Sequence, residues 1–264
     1  MNKLENLLAG LVSTVILLNA CYPVETDFRR SANFSRTNKI SEIEWPELKL
    51  ENRLKIDSGE ISEEVKWKAG VITIPHYRLG AVQIGKEKSL LINGTGFILG
   101  DKYFTPYHVA DDSIVNGVVG NLFVSGCPLE FAGGSVKHDV AVFQVPKELE
   151  ELTNDYFFQS NSKIYIGQQI VIYGNPLSYF FEHSEGKFER GVVTDLNYGI
   201  ARGDSISFGY IWFRGKVDFG DSGSPVFDAR TGDVLGMVTN KHYDGTGGYF
   251  APISWCEEFV LKKQ

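Results

Sequence analysis

Short apolar segments, separated by glycine and other turn-forming residues, follow one another from residue 70 onwards. They are rich in β-branched and aromatic residues, and no long helical period appears among them before the C-terminal tail. Many short strands at this spacing predict an all-β sandwich or barrel. The predicted strands are Val71–Ile74, Ala81–Ile84, Leu90–Leu99, Lys102–Thr105, Ile114–Val119, Asp139–Val145, Ile164–Tyr173, Gly191–Leu196, Ile206–Phe213, Val234–Asn240 and Gly248–Ala251.

The C-terminal tail follows a helical pattern instead. Apolar side chains at positions 253, 256, 259 and 260 repeat with helical spacing over Ile253–Lys263. Ser254 is a suitable N-cap residue, and Glu257 follows it three residues later, as in a capping box. We therefore predict a short C-terminal helix.

The first 21 residues predict an export signal. Residues 7–20 are apolar and uncharged, and a helix of this length reaches about 21 Å, which is short of the ~30 Å hydrocarbon core of a membrane. A signal peptide over residues 1–21 fits this length. The run ends in Leu-Asn-Ala-Cys, which is similar to a bacterial lipobox and makes Cys21 a candidate lipidation site. The expected location is the cell envelope, as a lipoprotein. Plain secretion and an uncleaved anchor are the alternatives.

Residues 22–68 differ in composition and pattern from the strand-rich region. They mix acidic and basic residues, contain one glycine, and show no long apolar period. This composition predicts a polar tether with a short helix near Glu47–Ile56, and an inhibitory pro-segment is the alternative. The folded domain is then expected over residues 69–264, with halves of about 69–160 and 161–264.

Charge and cysteine content exclude several classes of protein. The net charge of −7 argues against a nucleic-acid partner, because phosphate binding needs a basic face. The three cysteines, Cys21, Cys127 and Cys256, form no CxxC pair and predict neither a metal site nor a disulfide framework. Cys127 and Cys256 form either one disulfide or two buried thiols. No cofactor and no metal are expected, and the sequence indicates no oligomeric state.

Three short motifs supply what a nucleophilic serine needs. Residues 220–223 are Gly-Asp-Ser-Gly, residues 105–108 are Thr-Pro-Tyr-His, and residues 138–139 are His-Asp at the start of an apolar strand. A serine oxygen is a poor nucleophile at neutral pH. It needs a base to take its proton and a carboxylate to orient that base.

His108, Asp139 and Ser222 are the candidates for base, carboxylate and nucleophile. An aspartate at the start of an apolar strand is costly unless it has a partner, and an imidazole N–H is such a partner. His138 is assigned no role beside it. Gly96 is expected to let the backbone pass closely behind the strand that leads to the histidine.

The chain order His, Asp, Ser decides between two classes of serine hydrolase. An esterase of the α/β-hydrolase class needs the order Ser, Asp, His, together with alternating strands and helices. Only a short segment containing His242 follows Ser222, and alternating units are missing. The esterase hypothesis is therefore excluded.

The region from residue 70 onwards resembles the trypsin-like serine proteases, in particular their HtrA-type and bacterial relatives. The resemblance rests on the Gly-Asp-Ser-Gly sequence and on three further segments: residues 94–99 leading into 103–105 and 108–109, residues 139–142 followed by Val145, and residues 173–176 followed by 191–194. The Gly-Asp-Ser-Gly form is closer to trypsin-like and glutamyl-endopeptidase-like members than to HtrA. The chain ends soon after the last expected strand and helix, which favours a protease domain without a PDZ domain.

The resemblance implies two perpendicular six-stranded antiparallel β-barrels with a short C-terminal helix and the active site between the barrels. His108 and Asp139 would come from the first barrel and Ser222 from the second, and the amides of Gly220 and Ser222 would form the oxyanion hole. It implies an exported serine endopeptidase that acts on proteins or peptides through an acyl-enzyme. The alternative is a catalytically silent pseudoprotease that binds peptides.

The same resemblance suggests residues that contact the substrate. Lys216 would lie on the floor of the specificity pocket and could favour acidic side chains, or it is solvated instead. The strand segment Val238, Thr239 and Asn240 would form one wall. His242 either helps to recognise an acidic side chain or is an ordinary loop histidine.

Overall fold

The computed structural model describes residues 61–84, 87–110, 114–115, 118–119, 122–124, 127–150, 163–174, 186–202, 205–218 and 220–260. The expected signal peptide, Cys21 and the helix expected near Glu47–Ile56 lie outside the described residues. Within these ranges, no helix combines the length and the apolar character needed to cross a membrane.

The first half of the folded region is an antiparallel sheet. Its strands are β1 (Thr73–Ile84), β2 (Glu87–Leu99), β3 (Lys102–Thr105), β4 (Ile114–Val115), β5 (Val118–Val119), β6 (Leu122–Val124), β7 (Cys127–Pro128), β8 (Glu130–Ser135) and β9 (Val140–Gln144). Seven of them lie in the order β7-β6-β1-β2-β3-β9-β8, and β4 pairs with β5. In the part of the chain that the structure describes, this half is an open seven-stranded sheet and not a closed six-stranded barrel.

The second half is a closed six-stranded barrel. Its strands are β10 (Gln169–Gly174), β11 (Lys187–Arg202), β12 (Ser205–Gly215), β13 (Pro225–Asp228), β14 (Val234–Lys241) and β15 (Gly247–Pro252). They close in the order β10-β11-β12-β15-β14-β13, and every pair is antiparallel. The predicted all-β fold class is confirmed, with a closed six-stranded antiparallel barrel in the second half.

Strand boundaries agree best where the segments are fully buried. β3 has the predicted bounds, and its four residues are all buried. The sequence missed β8, because its side chains alternate between exposed and half-buried and because Gly133 and Gly134 weaken the strand pattern.

Residues 63–72 form a helix that the sequence did not predict. The four helices of the described residues are α1 (Glu63–Ile72), α2 (Tyr107–Ala110), α3 (Lys147–Glu150) and α4 (Ile253–Val260). The predicted strand Val71–Ile74 is therefore half wrong, since α1 continues through Ile72 and β1 begins at Thr73. The β-branched pair at 71–72 favours a strand locally, but it continues a helix that begins further upstream.

The start and the packing of α1 explain its stability. The Ser62 hydroxyl accepts a hydrogen bond from the Val65 amide at 3.3 Å, which is an N-cap. Val65 and Ala69 lie four residues apart on one face of α1, and Ile61 lies just before the helix; all three are buried in one core cluster. Lys68 Nζ also donates to the Thr231 carbonyl of the second half at 3.0 Å. The last residues of the region expected to be a tether thus pack against the barrel.

The predicted C-terminal helix is confirmed as α4, whose Ile253 and Cys256 are buried. They belong to a core cluster that joins the two halves, since it also contains Phe97 and Val140 of the first half and Phe227 of the second. Packing across the halves therefore fixes the elements that carry the candidate site.

Neither Cys127 nor Cys256 forms a disulfide. Burial raises the pKa of the Cys256 thiol, which keeps it in its neutral form. Of the two alternatives left open by the sequence, the structure has separate thiols, although Cys127 is only half-buried. The described ranges contain no group of three or more His, Cys, Asp or Glu side chains that could hold a metal ion.

Candidate active site

His108 and Asp139 meet through two hydrogen bonds. His108 Nδ1 lies 2.8 Å from Asp139 Oδ2, and the His108 amide donates to Asp139 Oδ1 at 2.9 Å. An ionised carboxylate can only accept hydrogen bonds, so the imidazole carries its proton on Nδ1 and leaves the Nε2 lone pair to accept a proton. Asp139 is completely buried, whereas 39% of the His108 side chain is exposed. The geometry orients a partly exposed histidine so that its Nε2 can act as a base.

Local backbone structure brings these two residues together. α2 begins just after Pro106, whose carbonyl accepts hydrogen bonds from the amides of Val109 and Ala110. The Tyr107 amide donates to the Asp139 carbonyl at 3.1 Å, which ties the helix to the turn before β9. Asp139 has φ of 55°, a left-handed conformation that is uncommon outside glycine.

Gly96 confirms the close approach that the sequence predicted. A Cβ at this position would lie 2.3 Å from the Tyr103 ring and 2.6 Å from the Phe104 carbonyl oxygen. A side chain would therefore push β2 away from β3, the strand that leads to His108.

The loop that carries Ser222 docks against the first half through Thr95. The Thr95 amide donates to the Ser222 carbonyl at 3.0 Å, and Thr95 Oγ1 donates to the Gly220 carbonyl at 2.9 Å. A Cβ at Gly223 would lie 1.6 Å from the Thr95 carbonyl oxygen and 3.1 Å from Pro106 Cδ. The serine loop thus lies against the residues that precede His108, and only glycine at position 223 permits this approach.

The Ser222 side chain points to β14. Its Oγ donates to the Thr239 carbonyl at 3.3 Å. Among the described residues, no hydrogen bond joins Ser222 to His108. A catalytic serine–histidine contact is often long in an unliganded enzyme and tightens when substrate binds, so the present rotamer is compatible with both an active and a silent site.

The amides of Gly220 and Ser222 donate to no backbone carbonyl within the described ranges. Gly220 has φ of 100°, which a non-glycine residue adopts only with strain. Two amides without internal acceptors, beside a nucleophile, are what an oxyanion hole requires.

Asp221 lies between these two amides and is 2% exposed. Its Oδ2 accepts a hydrogen bond from the Asp218 amide at 2.8 Å, and its carbonyl accepts one from the Ser224 amide at 2.9 Å. Burial raises the pKa of the Asp221 carboxyl to about 7, against the smaller opposing effect of the Asp218 amide. Asp221 thus stabilises the loop from inside.

The expected pocket residues differ in their surroundings. Val238 and Thr239 are fully buried and Asn240 is exposed. Val238 is paired to the serine loop, because its carbonyl accepts from the Gly223 amide at 2.8 Å and its amide donates to the Ser224 carbonyl at 2.9 Å. β14 therefore runs directly beside the nucleophile.

Lys216 is more than half exposed, and acidic neighbours surround its charge. Its Nζ lies 3.4 Å from Asp218 Oδ2 and 3.8 Å from Glu189 Oε1. Lys241 Nζ lies 3.6 Å from the other oxygen of Asp218, so this carboxylate bridges two lysines. The positive charge that could attract an acidic substrate side chain is thus already partly matched.

Both nitrogens of His242 have partners. Nδ1 lies 2.6 Å from Asp244 Oδ1, and Nε2 lies 3.1 Å from the Tyr198 hydroxyl. The hydrogen bonds from the Thr246 amide, from His242 and from the Thr246 hydroxyl lower the pKa of Asp244 to about 2. His242 therefore stabilises its own loop, which favours the loop-histidine alternative.

Sequence reasoning missed the role of Thr95. It lies between Gly94 and Gly96, in a motif that was noted for its glycines, and its two hydrogen bonds to the serine loop span 125 residues of sequence or more. A buried threonine between glycines was the available signal.

Comparisons with known proteins relate the chain to a peptidase family. A family model described as "Trypsin-like peptidase domain" matches residues 94–237, more than half of the chain, and this range includes all three candidate catalytic residues. A search of curated proteins finds no match to this sequence.

Solved structures of bacterial proteases share the fold. The active form of the Rv3671c protease from M. tuberculosis has a TM-score of 0.55 at 20% identity, over 75% of this chain and 83% of that chain. The MamO protease domain from Magnetospirillum magneticum has a TM-score of 0.52 at 15% identity, over 75% and 98%. The serine endoprotease from Yersinia pestis has a TM-score of 0.50 at 16% identity, over 83% and 67%.

Proposed function

Because this chain belongs to the trypsin-like peptidase domain family, we propose that it is a serine endopeptidase with Ser222 as nucleophile, His108 as general base and Asp139 as the orienting carboxylate. The observation that carries the proposal is the His108–Asp139 pair, which uses both carboxylate oxygens of a fully buried aspartate. A buried carboxylate is stable only with such partners, and the pair leaves Nε2 as the reactive nitrogen.

The proposed reaction follows from these positions. Ser222 Oγ rotates away from the Thr239 carbonyl, gives its proton to His108 Nε2 and attacks the scissile carbonyl carbon. The amides of Gly220 and Ser222 stabilise the resulting oxyanion, and each such donor is worth about 3 kcal/mol in the transition state. His108 then passes the proton to the leaving amine, and water hydrolyses the acyl-enzyme by the same route.

The test is covalent labelling of Ser222 together with peptide hydrolysis. We expect the purified full chain to react with a fluorophosphonate probe and to cleave a denatured protein mixture. Ser222→Ala should lose both activities and keep the fold. The matched control is Ser224→Ala, because the Ser224 hydroxyl is buried without a hydrogen-bond partner in the described residues and lies only two positions away. Full cleavage by Ser222→Ala would exclude the proposal.

A second candidate is a silent pseudoprotease that binds peptides. The hydrogen bond from Ser222 Oγ to the Thr239 carbonyl favours it, since the serine then does not face His108. The labelling experiment separates the two functions, because a serine locked in this rotamer does not react with fluorophosphonate. A wild-type chain that binds peptides but neither labels nor cleaves supports the second function.

Export through residues 1–21 and lipid attachment at Cys21 are part of the proposal and rest on the sequence alone. We expect the wild-type protein to incorporate radioactive palmitate in a bacterial host and to partition into membranes. Cys21→Ser should abolish the incorporation. Equal labelling of the two proteins would contradict lipidation at this residue, while export would be tested separately by cell fractionation.

A further inference from the structure

Trp255 on α4 stacks on His138, the residue immediately before Asp139. The two ring centroids lie 4.2 Å apart and the ring planes are inclined by 14°. α4 follows the last strand of the second half, whereas His138 lies in the turn between β8 and β9 of the first half. The stack therefore connects the C-terminal helix to the turn that carries the proposed catalytic carboxylate.

Two residues of β12 also contact the Trp255 ring. Tyr210 packs its ring edge-on against Trp255, at a centroid distance of 5.0 Å and an angle of 88°. Gly209 has φ of 96°, and a Cβ at this position would lie 3.0 Å from the indole. Tyr210 also donates through its hydroxyl to the Lys137 carbonyl at 3.3 Å. The second half thus contacts residues 137 and 138 from two sides.

The turn itself has weak internal support for its unusual backbone. The Asp139 amide donates to the Val136 carbonyl at 3.3 Å, and the His138 amide donates to Ser135 Oγ at 3.2 Å. Both bonds are at the long end of the usual range, while Asp139 has a left-handed backbone conformation that is uncommon for a residue with a side chain. Contacts from outside the turn therefore contribute to holding it.

We propose that the Trp255–His138 stack is a brace between the two halves that holds Asp139 in the orientation that its hydrogen bonds to His108 require. Trp255 and His138 are then positioning residues, which touch neither substrate nor the reacting atoms. This inference rests on the proposed catalytic role of Asp139. It adds that residues of the second half, on the C-terminal helix, orient a carboxylate of the first.

The chemical state of His138 suits this role. Burial lowers its pKa, and the neighbouring Lys137 charge lowers it further, while Glu258 on α4 has the opposite and smaller effect. At neutral pH the ring is therefore uncharged, and it stacks on the indole as an aromatic surface. A neutral His138 also brings no positive charge to compete with His108 for Asp139.

The first experiment replaces Trp255 in the full chain. We expect Trp255→Ala to lower kcat on the order of 10- to 100-fold with little change in KM, because a small misplacement of a catalytic group costs about this much. Trp255→Phe keeps an aromatic ring under His138 and should retain most of the activity. The matched control is Phe259→Ala, which removes another α4 aromatic, whose ring lies 3.7 Å from a Cβ placed at Gly133 of β8.

The division between kcat and KM distinguishes positioning from general stability. Displacement of Asp139 should lower kcat in Trp255→Ala under conditions where the variant is fully folded, while KM stays near the wild-type value. Phe259→Ala should lower the unfolding temperature and leave kcat unchanged in the folded enzyme. An unchanged kcat in folded Trp255→Ala would overturn the brace.

The opposite side of the stack gives a second test that does not alter the core of α4. His138→Ala should reproduce the kinetic effects of Trp255→Ala, and His138→Phe should restore activity because it restores the stacked ring. If Trp255→Ala fails to fold, the activities of His138→Ala and His138→Phe test the proposal instead. Equal and full activity of both His138 variants would contradict the proposal.

A nuclear magnetic resonance measurement keeps this inference separate from the proposed function. The Nδ1 proton of His108, bonded to Asp139, should give a downfield resonance in the wild-type chain and in Trp255→Phe, and it should broaden or disappear in Trp255→Ala and His138→Ala. This readout needs no turnover. A chain that fails to cleave yet shows this pattern rejects the proposed function and retains the brace. An active enzyme whose resonance is unaffected by both alanine variants rejects the brace alone.

Discussion

The turn that carries Asp139 and the loop that carries Ser222 each bury a carboxylate, and the two carboxylates have different partners. Asp139 faces the His108 ring and amide with both of its oxygens. Asp221 faces the Asp218 amide at 2.8 Å, and burial raises the pKa of its carboxyl to about 7. A carboxylate that is buried beside a group that can become positive can orient that group as a base. A carboxyl that is buried beside only an amide is favoured in its protonated form.

The two regions are also supported in different ways. Besides a backbone hydrogen bond from Tyr107, the Asp139 turn is held by side chains from another part of the chain, through the ring stack and the Tyr210 hydroxyl. The Ser222 loop is held mainly by backbone hydrogen bonds to Thr95 and to β14, and the Thr95 hydroxyl adds one bond to the Gly220 carbonyl. Side-chain support can be removed by one substitution, while backbone support fails only when the close approach itself is blocked. The four predictions below test these differences.

The largest effect is expected from Asp139→Asn. The amide would donate to His108 Nδ1 and favour the wrong tautomer, so we expect kcat to fall about 10⁴-fold with the fold intact. Asp195→Asn is the control, since Asp195 is an exposed carboxylate that accepts a hydrogen bond from the Asn197 amide. Steady-state kinetics and circular dichroism measure both properties. A loss of less than tenfold would remove Asp139 from the mechanism.

Gly223→Ala tests the close backbone contact between the Ser222 loop and Thr95. Both Gly223 and Gly245 have positive φ, so alanine should cost each about 1–2 kcal/mol in backbone strain. Only at Gly223 would the new Cβ overlap a backbone oxygen, whereas the nearest atom to a Cβ at Gly245 is Lys241 Cε at 3.9 Å. We expect a total loss of about 4 kcal/mol in the free energy of unfolding for Gly223→Ala. Equal losses in urea denaturation would contradict the docking.

Asp221→Asn tests whether the buried Asp221 carboxyl is protonated in the folded chain. In the folded chain Asp221 keeps its proton up to about pH 7, while in the unfolded chain it ionises near 3.8. Wild-type stability therefore declines as pH rises through this window, because the unfolded state binds fewer protons. Relative to wild type, the free energy of unfolding of Asp221→Asn should rise by about 3 kcal/mol between pH 5 and pH 8. A difference independent of pH would show that Asp221 is not protonated.

The smallest effect concerns substrate preference. Asp218→Asn would leave Lys216 and Lys241 without their shared carboxylate. Exposed ion pairs are weak, so we expect cleavage after acidic residues to increase only about threefold. Profiling of cut sites on a denatured proteome measures this change, with Lys216→Ala as the opposing variant. An identical profile in all three proteins would remove Lys216 from the pocket.

The sequence predicted the elements whose pattern is local. β3 and α4 have strong patterns in a few consecutive residues, and the His, Asp and Ser motifs each lie within one short segment. The order of these motifs along the chain indicated the fold class, because few folds bring His, Asp and Ser residues in that order into one site. Gly96 could be interpreted in advance, since a glycine before a close strand has few alternative explanations.

The remaining features depend on contacts between distant residues. The apolar positions of α1 are interrupted by charged residues, so its buried face can be identified only from its packing against the rest of the domain. Asp139 forms hydrogen bonds with His108, as the sequence predicted. Nothing in the sequence near position 139, however, indicates that Trp255 stacks on His138. Thr95 likewise contacts Gly220, which is 125 residues away.

α1 sets a limit on where the chain can be cut without exposing the core. Ile61, Val65 and Ala69 belong to the folded domain, because they are buried with residues of both halves. A cut upstream of Ile61 leaves these buried side chains in place, whereas a cut inside the helix exposes core side chains to water. A shortened recombinant form should therefore begin before residue 61.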